Sequence, residues 1–430
     1  MMKRGFLNTS KVKKQPLYGR TQSQPHQLEI EEPVETRNSS KSLGREVDAG
    51  HPEGVVAGPL PSSTIENSLR TDHAEDTILV STIPLHFEDG SGDPDGHSEW
   101  IARGPTYDKI LKLPSFPSPI PKPRRHNMYV VKPSRGMGLG VFATCDIEAG
   151  ELIFSERPLL VYPSAAAPLE ASNPYSRLSS TKKTSGQKEA IEYEQLAEVA
   201  LERMTEEGRA AYLSLANAHG RDSRPLVGII KTNGYLTNIG DGPDPRPGGD
   251  YAHARKYGAV CEIGARINHS CSPNVTFWFN RSSFSMQVSA IKDIKGGQEF
   301  FSSYCRLDQS AAKRKVALAP YGFECKCPVC VHAIPATDQL HEEFPARVQR
   351  FSELSKGWIR APRLDASVLD PLLQLEKDAI KEGLIPEPPY RRLLGIIEVV
   401  YAKLGMREKA GHYTEIRCRL NAIGEDDKTR

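Results

Sequence analysis

The chain has 430 residues, a length that allows two or three domains or one long domain with tails. Its formal net charge of +2 is nearly balanced and its basic residues are spread out, which argues against direct nucleic-acid binding through phosphate neutralisation. No apolar run reaches the ~18 residues of a membrane span, and the N-terminus lacks the apolar core of a secretory signal.

Residues 1–125 read as a disordered N-terminal region, rich in Ser, Pro, Gly, Glu and Asp with few apolar clusters. Its first stretch is basic (Lys3, Arg4, Lys11, Lys13, Lys14, Arg20) with no acid before Glu29, a faint hint of a targeting signal. Leu, Ile, Val and Phe are too sparse there for an amphipathic helix, so a basic tail is the better reading. The region closes on "LPSFPSPIPKPRR", a polyproline-type spacer whose "PKPRR" has the composition of a nuclear-import signal.

Order is expected from Tyr129. Apolar runs between Gly-marked turns predict strands around Tyr129–Lys132, Gly140–Ala143 and Leu152–Val161, with Gly150 where a tight reversal needs positive φ. A polar linker follows from residue 164 to about 187. Residues Lys188 to Gly220 have helical spacing (Leu196, Val199, Ala200, Met204), with Gly208 dividing two helices and Gly220 as a stop. "LVGIIKTNGYL" continues as a buried helix or as a helix running into a turn, and Gly240–Asp250 is a loop. Strands return from Val260 to Tyr304, with a hairpin at "RSS" (Arg281 to Ser283). Beyond Cys330 the chain is helical, ending in a helix pair split at Gly405. One such pair cannot bury its apolar face alone and should pack on its neighbours.

Most of the 8 cysteines lie late, and with no secretion signal reduced thiols or a metal are favoured over disulfides. "FECKCPVC" (Phe323 to Cys330) holds three cysteines in Cys-x-Cys-x-x-Cys spacing, a zinc signal that lacks its fourth ligand. Cys145, Cys261, Cys271, Cys305, Cys418 and His332 are all candidates by spacing. Cys271 has the best local context, in the Ser-Pro-Asn turn of "INHSCSPN" (Ile267 to Asn274). "RGMGLG" (Arg135 to Gly140) lets a backbone approach a ligand closely, yet a strand rather than a helix follows it, so it is not a dinucleotide fingerprint. Tyr304 ends the strand of "GQEFFSSY".

The order Gly-rich turn, long insertion, Asn-His-Ser-Cys, "GQEFFSSY" and Cys-x-Cys-x-x-Cys resembles the SET-domain protein lysine methyltransferases. The likeness is to the split-SET type related to the SET-and-MYND subgroup and fungal SET-domain proteins, and it covers about Tyr129 to Cys330. The cysteines a MYND finger needs are missing from residues 164–257. The resemblance implies an α+β SET fold of short strands in small sheets with a pseudoknot. It places a SET domain at 126–330, with a linker and helical insertion at 164–257 and a post-SET zinc segment at 320–330, and a tetratricopeptide-like helical region at 331–430. It further implies S-adenosyl-L-methionine as cofactor, contacted by Arg135, Met137, Gly138, Asn233, Asn268, His269 and Phe323. Tyr304 is implied as the catalytic tyrosine and Tyr321 as a channel-lining one. Zinc would be held by Cys271, Cys325, Cys327 and Cys330, leaving Cys261 and Cys305 as free thiols. The substrate would be a lysine of a histone or another protein, in the nucleus or the cytoplasm, with the helical tail recruiting partners. The competing reading is a non-catalytic SET-fold scaffold for protein–protein interaction.

Overall fold

The computed structural model describes residues 63–66, 70–74, 77–85, 92–163, 182–220, 223–237, 239 and 257–423. All of them belong to one unit, Ala57–Arg430. The basic tail, most of the 164–187 linker and the Gly240–Asp250 loop lie outside the described residues.

The first described elements correct the expectation of disorder through residue 125. Strands β1 (Ser63–Glu66), β2 (Ile78–Ile83) and β3 (Ser98–Arg103) precede helix α1 (Gly104–Leu111). β2 is buried along its whole length, β3 over all but its last residue. The buried Trp100 ring lies 5.2 Å from Tyr107 and 4.9 Å from Phe284. These six-residue strands are too short to stand out in a polar background. Their burial comes from partners far along the chain, which local composition does not report.

The next strands are β4 (Tyr129–Ser134), β5 (Gly138–Ala143), β6 (Leu152–Glu156) and β7 (Leu160–Pro163). β4 and β5 form a hairpin whose turn needs positive φ at Gly136 (75°) and Gly138 (74°). The run read as one strand, Leu152–Val161, is two. Pro158 has no N–H for a ladder, so the chain leaves one sheet and enters another there.

The insertion supplies α2 (Lys182–Arg203), α3 (Glu206–Leu213), α4 (Pro225–Asn233), β8 (Gly234–Thr237) and β9 (Tyr257–Val260). Its helices divide at Met204–Thr205, not at Gly208: the Thr205 hydroxyl caps α3 by accepting from the Gly208 N–H. Nor is Gly220 the stop, since α3 ends at Leu213. β10 (Asn268–His269), β11 (Val275–Asn280), β12 (Ser285–Ala290) and β13 (Phe301–Ser302) follow, then α5 (Ala311–Leu318), α6 (Pro328–Val331), α7 (Pro335–Arg360), α8 (Leu369–Lys381), α9 (Pro388–Lys403) and α10 (Arg407–Ala422).

Among the described residues the strands form a six-stranded sheet (β1-β2-β3-β7-β9-β8), a three-stranded sheet (β11-β12-β6) and two-stranded β4-β5 and β10-β13. The fold is α+β, with several small sheets and many helices. The terminal helix pair splits at Gly405 (φ 75°), as expected. Its apolar face does not stand alone: Leu393, Ile397 and Val400 share one core with Phe344, Leu372, Leu307, Ile291 and Cys271. The helical tail is thereby packed onto the loop that follows β10.

Candidate active site and metal centre

The site is built where β13 threads between two earlier segments. β10 and β13 run parallel, with Asn268 opposite Phe301 and His269 opposite Ser302. On the other side the Phe300 N–H donates to Val141 O (2.7 Å) and the Ala143 N–H to Gln298 O (2.8 Å). Asn274 fastens the crossing: its amide donates to Glu299 O (2.8 Å) and its Oδ1 accepts from the Phe301 N–H (2.7 Å). This threaded arrangement is the pseudoknot that the order of motifs implied.

Glu299 ties the Gly-rich hairpin to the Asn-His strand. One carboxylate oxygen accepts from Ser134 Oγ (2.8 Å), the other from Asn268 Nδ2 (2.7 Å), which also donates to Leu139 O (3.1 Å). The close approach requires Gly140, since a Cβ there would lie 2.2 Å from Glu299 Oε1. Arg135, Met137 and Gly138 are exposed in the hairpin turn, beside Asn268 through Leu139. Glu299 was not singled out in the sequence. Its signal was the acid in "GQEFF", which composition alone does not separate from a surface charge.

Tyr304 is anchored at both ends. Its N–H donates to His269 Nδ1 (3.0 Å) and its hydroxyl to the carbonyl of the buried Ile267 (2.7 Å). The Tyr321 ring is 5.0 Å from Tyr304, and Phe323 is 5.9 Å from His269 and 6.3 Å from Tyr321. Four expected residues thus form one aromatic cluster, open at Phe323, which is 40% exposed. Burial, with smaller contributions from Tyr321 and Glu299, holds the Tyr304 hydroxyl well above its ordinary pKa, so it is a neutral donor.

Asn233 is buried at the end of α4, its amide donating to Ala216 O (2.7 Å) and Ile229 O (2.8 Å). Those protons close the insertion. The neighbouring Tyr235, not foreseen, stacks on Phe277 (3.9 Å between centroids) and donates to Gly264 O (3.1 Å). Burial, followed by the Tyr304 ring, keeps its phenol neutral.

The donor atoms of Cys271, Cys325, Cys327 and Cys330 all lie within 4.8 Å of one another. Cys271 is fully buried and its sulfur is 3.4 Å from that of Cys330, near the roughly 3.8 Å edge of a tetrahedral zinc–thiolate site. Cys327 precedes α6, and its carbonyl accepts from the Cys330 N–H (3.0 Å), a tight turn that aims both thiols the same way. Four sulfurs so placed and free of disulfides fit a structural zinc ion. Of the other candidates, Cys261 is buried elsewhere, in the core around Trp100. Cys305 lies closer than foreseen, its sulfur grouped with His269 and Cys271.

Residues 138–305 match the SET domain family. The chain is 29% identical over 209 residues to the histone-lysine N-methyltransferase set5 of Schizosaccharomyces pombe, covering 48% of this chain and 52% of that one. It is 40% identical over 80 residues to the protein-lysine N-trimethyltransferase SMYD5 of Homo sapiens, covering 18% and 19%. The match thus spans about half the length of the first relative and less of the second. Among solved structures, the Neurospora SET domain protein DIM-5, a histone lysine methyltransferase, aligns over 41% of this chain and 51% of its own with 16% identity and a TM-score of 0.20. With Asn268, His269 and Tyr304 all inside the matched span, the chain carries a SET domain.

Proposed function

We propose that this chain is an S-adenosyl-L-methionine-dependent protein-lysine N-methyltransferase. The observation that carries the reading is the double anchoring of Tyr304, on His269 Nδ1 and on Ile267 O, inside the cluster with Tyr321 and Phe323. It fixes a neutral phenol at the meeting point of the motifs that the SET domain match contains.

When bound, S-adenosyl-L-methionine supplies a methyl group on a sulfonium. Asn268, His269 and the Arg135–Gly138 turn would hold its polar parts, and the exposed Phe323 offers a face for its adenine. Asn233, at the end of α4, is proposed as a further contact. Tyr304 and Tyr321 line the place for a lysine side chain. Burial among phenols disfavours an ammonium, so the lysine releases its proton to water and enters as the neutral amine. Tyr304 and Tyr321 would hold that nitrogen in line with the methyl the cofactor would supply. No protein base of high strength is needed. Alignment of the two reactants can contribute roughly 7–11 kcal/mol of the barrier reduction in favourable cases.

The proposed substrates are protein lysines, with histones first among them because the S. pombe relative is named for that activity. Action in the nucleus or cytoplasm is proposed on the same ground, and among the described residues no helix is long and apolar enough to cross a membrane. Purified protein incubated with labelled cofactor, histones and cell extract should transfer label. No transfer, together with no cofactor binding by calorimetry, sinks the reading; binding without transfer leaves the scaffold reading in its place.

A further inference from the structure

Arg314 projects from α5 and is fully buried. Its Nη1 donates to Gln309 O, while Nε and Nη2 have no hydrogen-bond partner in the described structure. A guanidinium with two orphaned donors is costly inside a protein unless an anion faces it. Its neighbours are the sulfurs of Cys271 and Cys330. Zinc held by four thiolates would carry a net charge near −2, and Cys271 is the one wholly buried thiol of the four.

We propose that Arg314 is the counter-cation of the cysteine-bound metal, its free Nε–H and Nη2–H donors serving the Cys271 and Cys330 thiolates. The proposal rests on the reading of the four cysteines as a zinc site. It explains why a cation is buried with donors unused, and it assigns the role to a residue outside every motif of the site. Arg314 is a positioning residue: it acts on the metal through its ligands.

Zinc content and the rate of zinc transfer to a chromophoric chelator are measured on the full chain for wild type, Arg314→Met, Arg314→Lys, Cys330→His and Arg314→Met with Cys330→His. Wild type should hold one zinc per chain. Arg314→Met should release it about 10–100-fold faster, the scale on which outer-shell partners act, and Arg314→Lys should fall between them because it keeps the charge. Cys330→His replaces a thiolate by a neutral imidazole, so adding Arg314→Met to it should accelerate release less than in wild type. A purely structural arginine gives additive effects and no rescue by lysine, and that result, or equal release from wild type and Arg314→Met, overturns the proposal. Wild type without zinc overturns the metal reading together with this one. If Arg314→Met does not fold, Arg314→Gln takes its place in both backgrounds and is read by the same outcomes: release at the wild-type rate, or an acceleration undiminished by Cys330→His, overturns the proposal.

Discussion

Gly383, in the turn after α8, lies against the carbonyl of Cys271: a Cβ there would stand 2.4 Å from that oxygen and 2.7 Å from Ser272 Cα. Its φ of 76° also belongs to the left-handed region. The helical tail therefore presses on the loop that carries the buried cysteine of the metal centre. Gly383→Ala is expected to cost about 1–2 kcal/mol from backbone strain alone, more from the clash, and to lower zinc occupancy. Gly411→Ala, in α10 with open space around its Cβ, is the control and should be neutral or stabilising by up to ~1 kcal/mol. Chemical denaturation and metal analysis of both variants check this; a Gly383→Ala protein with unchanged zinc content would show that the contact is incidental.

Gly140 and Glu299 make the second close approach. Gly140→Ala pushes the Glu299 carboxylate out of reach of Ser134 or Asn268 and is expected to destabilise by roughly 1–3 kcal/mol. Cofactor affinity should fall about tenfold, the equivalent of ~1.4 kcal/mol, because Asn268 loses its orientation. Calorimetric titration separates this from a general loss of fold, since Tyr304 and the cysteines are untouched. Unaltered affinity would mean that Glu299 only braces the hairpin.

Tyr304→Phe removes a hydroxyl and little else. The hydrogen bond to Ile267 O is worth about 1 kcal/mol to stability, so the variant should fold. Methyl transfer should fall by at least ~100-fold while cofactor binding holds, as expected when a positioned donor is lost from a preorganised site. Single-turnover transfer and calorimetry on the same preparation test the pair of outcomes. Transfer within a fewfold of wild type would remove Tyr304 from the chemistry.

The site was more legible than the fold around it. The spacing of "INHSCSPN", "GQEFFSSY" and "FECKCPVC" gathers residues whose chemistry is specific, and the structure brings Asn268, His269, Tyr304, Tyr321, Phe323 and the four cysteines into one region. Glu299, Tyr235 and Arg314 were not legible, because an acid, a tyrosine and an arginine are commonplace until a partner faces them. β2 and β3 were missed for a related reason. Trp100 is buried against residues more than a hundred positions away, a long-range contact that no window of sequence contains. The single strand expected at Leu152–Val161 failed at Pro158, where the proline should have outweighed the apolar pattern.

Glu99 gives the fold a pH dependence. It is 2% exposed, accepts from Thr82 and pairs with Arg203 of α2 at 3.1 Å. Burial, against the opposing pull of Arg203 and Thr82, pushes its carboxyl up to about 7. A carboxyl raised above its unfolded value takes up a proton on folding in that interval. Its contribution is therefore complete below about pH 4.5 and is lost as pH rises through about 7. The difference amounts to about 3 kcal/mol. Urea denaturation between pH 5 and 8 should show stability falling with pH, and Glu99→Gln should flatten the slope. A slope unchanged by the substitution would assign it to other groups.

Metal removal should reach beyond the cysteines. Cys271 sits in the same core as Leu307, Phe344, Leu372 and Leu393, and the peptide before it carries His269, which accepts from the Tyr304 N–H. Stripping zinc leaves four crowded thiols with no common partner, and the 325–330 segment loses its tether to the 268–274 loop. Tyr321 and Phe323 precede that segment, so the wall they form over Tyr304 should loosen with it. Chelated protein is expected to lose cofactor binding, to unfold at lower temperature and to exchange amide hydrogens faster in residues 319–331 and in α8 and α9. Metal affinity and folding are coupled in this way wherever ligands come from separate segments. Exchange confined to residues 325–330, with cofactor binding intact, would show instead that the cysteine cluster is a local staple independent of the aromatic site.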